Sequence, residues 1–355
     1  MNSKKSAAAF AFLAGTMGLA GCTSVTLQTR PYHAFGDSVT TGYALADPAT
    51  QAYPTLVGAY EQVPFANYAI NGSQACDVLT NQIFAHGDSP TLEFPAKYSV
   101  LIGSGDADKK GAGPYEQVFF LCHKAILSWL GVPAEYKVLA TNSGVTTTGP
   151  GAIDASNNWN AWTTAGPGST VSFPITTAVS GPIYLWPRIR DSDPETYTYS
   201  LDGVVLGTGS TQTTPLIDTY DGTTNSLGFI RLAAVPQGHH VVTFTQTSAG
   251  ANGVSVVGIG TPTGSPSGTL PTVLVGTVPY QYNTGQCNAL SDEPCLEYTL
   301  DIEADLNIFL ADGLDVRLFD TRKYLLGTAA DMAPDGLHPN VLGHIELSHA
   351  VEAVW

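Results

Sequence analysis

The first half of the chain carries short apolar runs that each stop at a polar turn containing glycine. Tyr32 to Phe35 stops at Gly36-Asp37-Ser38, Phe65 to Ile70 at Asn71-Gly72-Ser73, and Tyr98 to Ile102 at Gly103-Ser104-Gly105-Asp106. These runs read as buried strands, and stretches with helical spacing, Asp77 to Phe84 and Tyr115 to Leu130, fit between them. Alternating strands and helices predict a parallel sheet, in which ligands bind at the carboxyl ends of the strands. The glycine turns fall at those ends.

The pattern changes between about Ala134 and Pro266, where Thr, Ser, Gly and Val dominate and helical periodicity is lost. Thr170–Ile175, Ile183–Arg188, Tyr197–Leu201, Phe229–Ala233 and His240–Gln246 read as antiparallel strands between turn residues. Asp202-Gly203, between Tyr197–Leu201 and Val204–Leu206, is a hairpin signal. Residues 134–266 are therefore expected to form a β-sandwich inserted into the α/β domain, with Tyr136 to Ala140 assignable to either part. After Ser265-Pro266-Ser267-Gly268, the pattern resumes: Thr272 to Val278 as a buried strand, Tyr298 to Leu310 as a helix, Leu314 to Phe319 as a strand, and Val341 to Val354 as a closing helix. The expected α/β domain is thus split, 32–133 and 267–355, with five parallel strands and one long excursion.

Only 12% of the 355 residues are charged, while Gly (37) and Pro (23) are abundant, a profile suited to an exported protein rich in strands and loops. The formal net charge of −16 argues against a nucleic-acid partner, which would need clustered Lys and Arg. Lys4 and Lys5 followed by the apolar run Ala7 to Ala20 read as a signal peptide over residues 1–21. Its end, Leu19-Ala20-Gly21-Cys22, resembles the lipobox of bacterial lipoproteins, which implies lipidation of Cys22 and a place in the periplasm or at the cell surface. Residues 22–31 would then be a linker, and Cys22 the one link to a membrane. The other four cysteines, Cys76, Cys122, Cys287 and Cys295, allow two disulfides in three pairings. The short loop between Cys287 and Cys295 favours a local pair, leaving Cys76 for Cys122.

A serine hydroxyl needs a base within hydrogen-bond reach, and that base needs an acceptor that fixes its tautomer. Ser38 lies where a strand hands over to a helix. Asp335 and His338, three residues apart in Pro334-Asp335-Gly336-Leu337-His338-Pro339, can be presented by one loop. Together these pieces resemble the GDSL/SGNH hydrolase family. Phe35-Gly36-Asp37-Ser38 looks like its first block, Gly72 like the glycine of the second, and Asp335-Gly336-Leu337-His338-Pro339 like the last. The resemblance covers the α/β portion only. It implies a flavodoxin-like α/β/α fold with a five-stranded parallel sheet, Ser38 as nucleophile, His338 as base, Asp335 as its partner, and the amides of Ser38 and Gly72 as an oxyanion hole. It implies no metal or organic cofactor. The substrate would be a small-molecule or polysaccharide ester; oligomeric state is not set.

The third block departs from the family pattern. Where the family has GxND, this chain has Gly103-Ser104-Gly105-Asp106, with Gly105 in place of the asparagine that donates to the oxyanion. Asn71 is the nearest substitute in sequence. A second Gly-Asp-Ser, at Gly87-Asp88-Ser89, has no strand leading into it and reads as a loop. His239-His240 lacks accompanying acids or cysteines and reads as a strand end. His344 and His349 read as structural or solvent-facing residues of the last helix. Trp159, Trp162, Trp186, Tyr184, Tyr197, Tyr199 and Tyr220 populate the insert, as core residues or as a sugar-stacking face. The function expected is hydrolysis of carboxylic esters, carbohydrate-linked or short-chain. An acyltransferase with the same triad, or an impaired glycan-binding surface lipoprotein, are the alternatives.

Overall fold

The computed structural model describes residues 30–355 except 87–95, 111–112, 157–158, 191, 193, 214–216, 218–223, 251, 263–269, 283–286 and 288–292. The signal peptide, Cys22, nearly all of the 22–31 linker, the second Gly-Asp-Ser, Tyr220 and the 265–268 linker (Pro266 included) lie outside the described residues.

Five strands pair in parallel: β1 (Tyr32–Gly36), β2 (Phe65–Asn67), β3 (Lys97–Leu101), β4 (Thr272–Gly276) and β5 (Asp315–Phe319). Their order in space is β2-β1-β3-β4-β5, that of a flavodoxin-like sheet. The principal helices are α1 (Ser38–Thr41), α2 (Tyr53–Glu61), α3 (Pro114–Gly131), α4 (Glu293–Ala311) and α5 (Val341–Glu352). Strand alternation sends Phe35, Val100, Val273 and Val275 into one buried cluster with Phe119 and Ile126 of α3 and Phe309 of α4. Tyr32, Ala34, Leu101 and Leu274 enter another, with Tyr53 and Val57 of α2 and Leu347 and Val351 of α5. Helices thus cover both faces, which is why β1 and β4 are buried at every position.

Two elements differ from the expected ones. The apolar run Phe65–Ile70 is strand only as far as Asn67, although Tyr68 N to Ala34 O (2.8 Å) and Ile70 N to Gly36 O (3.2 Å) keep the rest of it against β1. There the Asn67 side chain takes over, donating to Thr40 O at 2.8 Å and accepting from the Ala69 amide at 3.1 Å, and the chain turns. The helix expected over Asp77–Phe84 is instead a short α-turn, Ala75–Asp77, running into a π-helical turn, Val78–Ile83. The π-turn coincides with an inward-facing, fully buried polar residue, Gln82.

Between β3 and β4 the chain forms antiparallel sheets. One is ordered Val204–Ser210, Thr196–Leu201, Gly238–Gln246, Thr170–Thr177, Thr146–Thr148; the other contains Gly181–Arg190, Ser255–Gly260, Ala161–Thr164 and Gly151–Asp154. The Asp202-Gly203 hairpin forms with both residues at positive φ (50° and 81°), as a type I′ turn requires. Lys137–Leu139 pairs with Ser255–Gly260, so this segment joins the insert's sheet. Inward-facing Phe173, Phe244, Val242 and Ile183 fill the space between the sheets. Trp159, Trp186, Tyr184 and Tyr197 are also buried, so they serve as core and not as a sugar-stacking face. Trp186 packs edge-on against Trp129 of α3 and donates to Ser128 Oγ at 2.9 Å, seating the insert on the α/β portion. Disulfides link Cys76 to Cys122 and Cys287 to Cys295.

Candidate active site

The site is built at the carboxyl end of β1. Gly36 has a φ of +155°, and a Cβ there would run into Leu101 O and Thr40 Oγ1, so only glycine lets β1 approach β3 and turn at once. Asp37 follows as the N-cap of α1, its Oδ1 accepting from the Val39 amide at 2.9 Å. Ser38 is the first residue of α1, where an amide has no carbonyl partner within the helix. Burial pushes the Asp37 carboxyl up to about 6, against the lowering effects of the Val39 amide and of His338.

The last block arrives from the other end of the chain. His338 Nε2 lies 2.9 Å from Ser38 Oγ, and His338 Nδ1 lies 2.8 Å from Asp335 Oδ2. A carboxylate only accepts, so Nδ1 carries the proton and Nε2 is left to accept from the serine hydroxyl. Asp335 Oδ1 takes the amides of Leu337 and His338 at 3.0 and 3.1 Å, which fixes the carboxylate against the ring. Desolvation raises the Asp335 pKa, but bonds from the His338 ring and from the two amides outweigh it and hold the group below its ordinary range. Asp335 does not cap α5: that role belongs to Asn340, whose Oδ1 accepts from Leu342 and Gly343. The loop is pinned by Ala333 N to His338 O (2.7 Å) and Tyr282 N to Gly336 O (2.7 Å). Ser38, His338 and Asp335, separated by some 300 positions, are thereby in one hydrogen-bonded line.

The second block lies beside α1. The Ile70 amide donates to Gly36 O at 3.2 Å, and the turn from Ile70 to Ser73 closes with Ser73 N to Ile70 O at 3.2 Å. Gly72 within it has φ +80°, a conformation that suits glycine. Asn71 is exposed, and its Oδ1 accepts from Thr41 Oγ1 of α1. In the third block, Asp106 is fully buried and accepts from the Ala75 amide through both oxygens, at 3.3 and 3.1 Å. Burial raises its pKa well above the usual carboxylate range. Gly105 brings no side chain to the site.

Two residues that sequence patterns did not single out belong here. Tyr43, 59% exposed, sets its ring 4.8 Å from that of His338, and its amide bonds Ser38 O at 3.1 Å. Gln82 bonds the backbone of Gly36. The signal for Gln82 was present, a polar residue at the spacing that puts Val78 and Leu79 inside. Tyr43 carried none. The remaining candidates lie elsewhere: His239 and His240 on the insert's strand, with His240 Nδ1 2.8 Å from Asp202 Oδ2, His344 on the buried side of α5, and His349 exposed on the same helix.

No protein-family model matches this chain, and no curated protein matches it. Among solved structures it is similar to a two-domain esterase active on acetylated mannans, co-crystallized with mannopentaose, at a TM-score of 0.36 and 11% identity, covering 65% of this chain and 90% of that one. It is also similar to a family 35 carbohydrate binding module from an environmental isolate, at a TM-score of 0.28 and 10% identity, covering 35% of this chain and 90% of that one. Likenesses of this degree assign no activity, and the function rests on the geometry of the site.

Proposed function

We propose that this chain is a serine hydrolase of the GDSL/SGNH type that cleaves carboxylic esters, short-chain or carbohydrate-linked, through an acyl-enzyme. The observation that carries this is the hydrogen-bonded line from Ser38 Oγ through His338 to Asp335 at the carboxyl end of the central strand. Ser38 Oγ attacks the ester carbonyl carbon as its proton passes to His338 Nε2. The amides of Ser38 and Gly72 receive the developing oxyanion, a type of contact worth about 10²–10³ in rate per donor. The bond to the alcohol oxygen then breaks, with His338 returning the proton to it. Water, deprotonated by the same ring, releases the carboxylic acid and restores Ser38. Asp335 holds the imidazole tautomer and balances its charge at each stage.

The exposed Tyr43 ring beside His338 gives the open side of the site an aromatic wall, which suits the apolar face of a sugar carrying the acyl group. Export rests on Lys4, Lys5 and the apolar run that follows, and a lipid anchor on Cys22. A panel of aryl esters from acetyl to long-chain, together with acetylated glycans, tests the proposal. Hydrolysis abolished in Ser38→Ala is the expected result; turnover retained by Ser38→Ala dismisses it. Product analysis with an added sugar acceptor separates hydrolysis from acyl transfer.

A further inference from the structure

Gly36 precedes the Asp37-Ser38 pair, and both of its polar backbone atoms face the side of β1 where β2 has already ended at Asn67. Gly36 O already takes the Ile70 amide at 3.2 Å, but without a further partner Gly36 N would be buried unpaired. Gln82 fills the position. Its Oε1 accepts from Gly36 N at 3.0 Å, and its Nε2 donates to Gly36 O at 2.7 Å. The side-chain amide thus pairs with the peptide as another strand would. The same Nε2 also donates to Ser73 Oγ at 3.0 Å, and Ser73 is the residue after Gly72. Gln82 and Ser73 are fully or almost fully buried, at 0% and 1% exposure, so these bonds do not compete with water.

We propose that Gln82 is a positioning residue that holds the Gly36–Ser38 and Gly72–Ser73 backbones in register, so that the two amides meet one oxyanion. The inference rests on the serine-hydrolase reading of Ser38. Preorganised donors work only if they already stand where the charge develops, and small misplacements are costly. With Gly105 bringing no side-chain donor, the two backbone amides carry that task, and their spacing depends on what joins the two turns. The Ile70 N–Gly36 O and Thr41 Oγ1–Asn71 Oδ1 bonds join them on the exposed side, and Gln82 joins them through one side chain on the buried side. Loss of this link would weaken transition-state binding more than substrate binding.

The test uses the full chain, with active sites titrated by a fluorophosphonate so that rates refer to folded, reactive Ser38. Gln82→Glu keeps the volume and an acceptor for Gly36 N while altering the donors, and Gln82→Met removes the polar group. Ser73→Ala cuts only the second link and leaves the Gly36 pair in place. For Gln82→Glu and Gln82→Met, kcat per titrated site on an aryl acetate should fall by about 10–100-fold with KM changed less than about threefold, a loss smaller than that of a whole oxyanion donor. Ser73→Ala should lower kcat by about 3–10-fold, and the Gln82→Met/Ser73→Ala pair should lose less than the product of the two single losses. Should Gln82→Met fail to fold, Ser73→Ala and Gln82→Glu decide the matter. The inference is overturned if Ser73→Ala and the foldable Gln82 variant keep wild-type kcat per titrated site while thermal stability falls, the mark of a packing role alone. Activity that survives Ser38→Ala overturns the hydrolase reading itself, a distinct outcome.

Discussion

The phenol of Tyr184 donates to Asp312 Oδ2 at 2.7 Å, tying a strand of the insert to the residue after α4 across 128 positions of sequence. Arg231, from a neighbouring strand of the insert, places Nε 2.7 Å from the same oxygen and its second nitrogen on Oδ1. Burial, and then the charge of Asp312, push the Tyr184 phenol well up. Asp312→Ala leaves the buried phenol without its acceptor and Arg231 without its counter-ion. We expect a loss of about 2–3 kcal/mol, with Asp312→Asn milder because it keeps an acceptor. Urea unfolding should show a lower midpoint with an unchanged slope, as the surface exposed on unfolding stays the same.

Asp37 titrates in the fold at about 6, against 3.8 for the free side chain, because burial disfavours its charge. Between these values the native state holds more protons than the unfolded one, so stability falls as pH rises. The contribution is complete below about 3.8 and is lost through about 6. Asp37→Asn keeps an oxygen to cap the Val39 amide and carries no charge. Its stability relative to the parent should grow from near zero at pH 4 to about 3 kcal/mol at pH 7, read by urea unfolding across that range. A constant difference across pH would show that the Asp37 charge is not the cause.

His344 has the opposite sign. It lies on the buried side of α5, its Nδ1 accepts from the Tyr53 amide at 3.2 Å, and burial, with a smaller effect of His338, lowers its pKa from 6.5 to about 4. Stability from this group is complete above about 6.5 and lost as pH falls through about 4, an effect of about 3 kcal/mol. In the native protein it offsets Asp37 over much of the range between pH 4 and 6, so the measured profile should be shallow there. His344→Gln keeps an acceptor for Tyr53 and removes the titration. Its melting temperature should therefore decline toward neutral pH more steeply than that of the parent, which thermal unfolding at a series of pH values measures.

Much of this architecture was legible in the sequence because it depends on local patterns. The strands read over Thr170–Ile175 and His240–Gln246 form, extending to Thr170–Thr177 and Gly238–Gln246, and the turn read at Asp202-Gly203 forms with two positive φ angles. The order of the blocks brought Ser38, Asp335 and His338 forward, and their side chains meet. What was not legible depends on distant partners. Nothing near Tyr184 points to Asp312, and the π-turn over Val78–Ile83 looks in sequence like an ordinary helix. Tyr43 is an unremarkable exposed aromatic until the last block places His338 beside it. Apolar spacing predicts which residues go inside, but not which buried polar group, such as Gln82, finds a backbone to bind.

Gly105 supplies the last prediction, because the departure visible in the sequence has a measurable space in the fold. A Cβ at this position would meet Ser73 O at 3.2 Å and Gln74 Cγ at 3.9 Å, and Gly105 is not in the left-handed region. A side chain is therefore tight but admissible, provided the Ser73 carbonyl yields by a few tenths of an ångström. Gly105→Asn would start an amide side chain from the first turn of the helix Ser104–Lys110, beside Ser73, at the position where the resemblance expects a third oxyanion donor. Removing such a donor elsewhere costs about 10²–10³ in rate, so even an imperfect one should raise kcat on an aryl acetate by about tenfold with little change in KM. A fall in kcat with the melting temperature unchanged would mean that the tight contact displaces the Ser73 turn, and with it the Gly72 amide. In that event the glycine is required by this particular packing of the second block against the third, and the two-donor site is the arrangement this chain is built around.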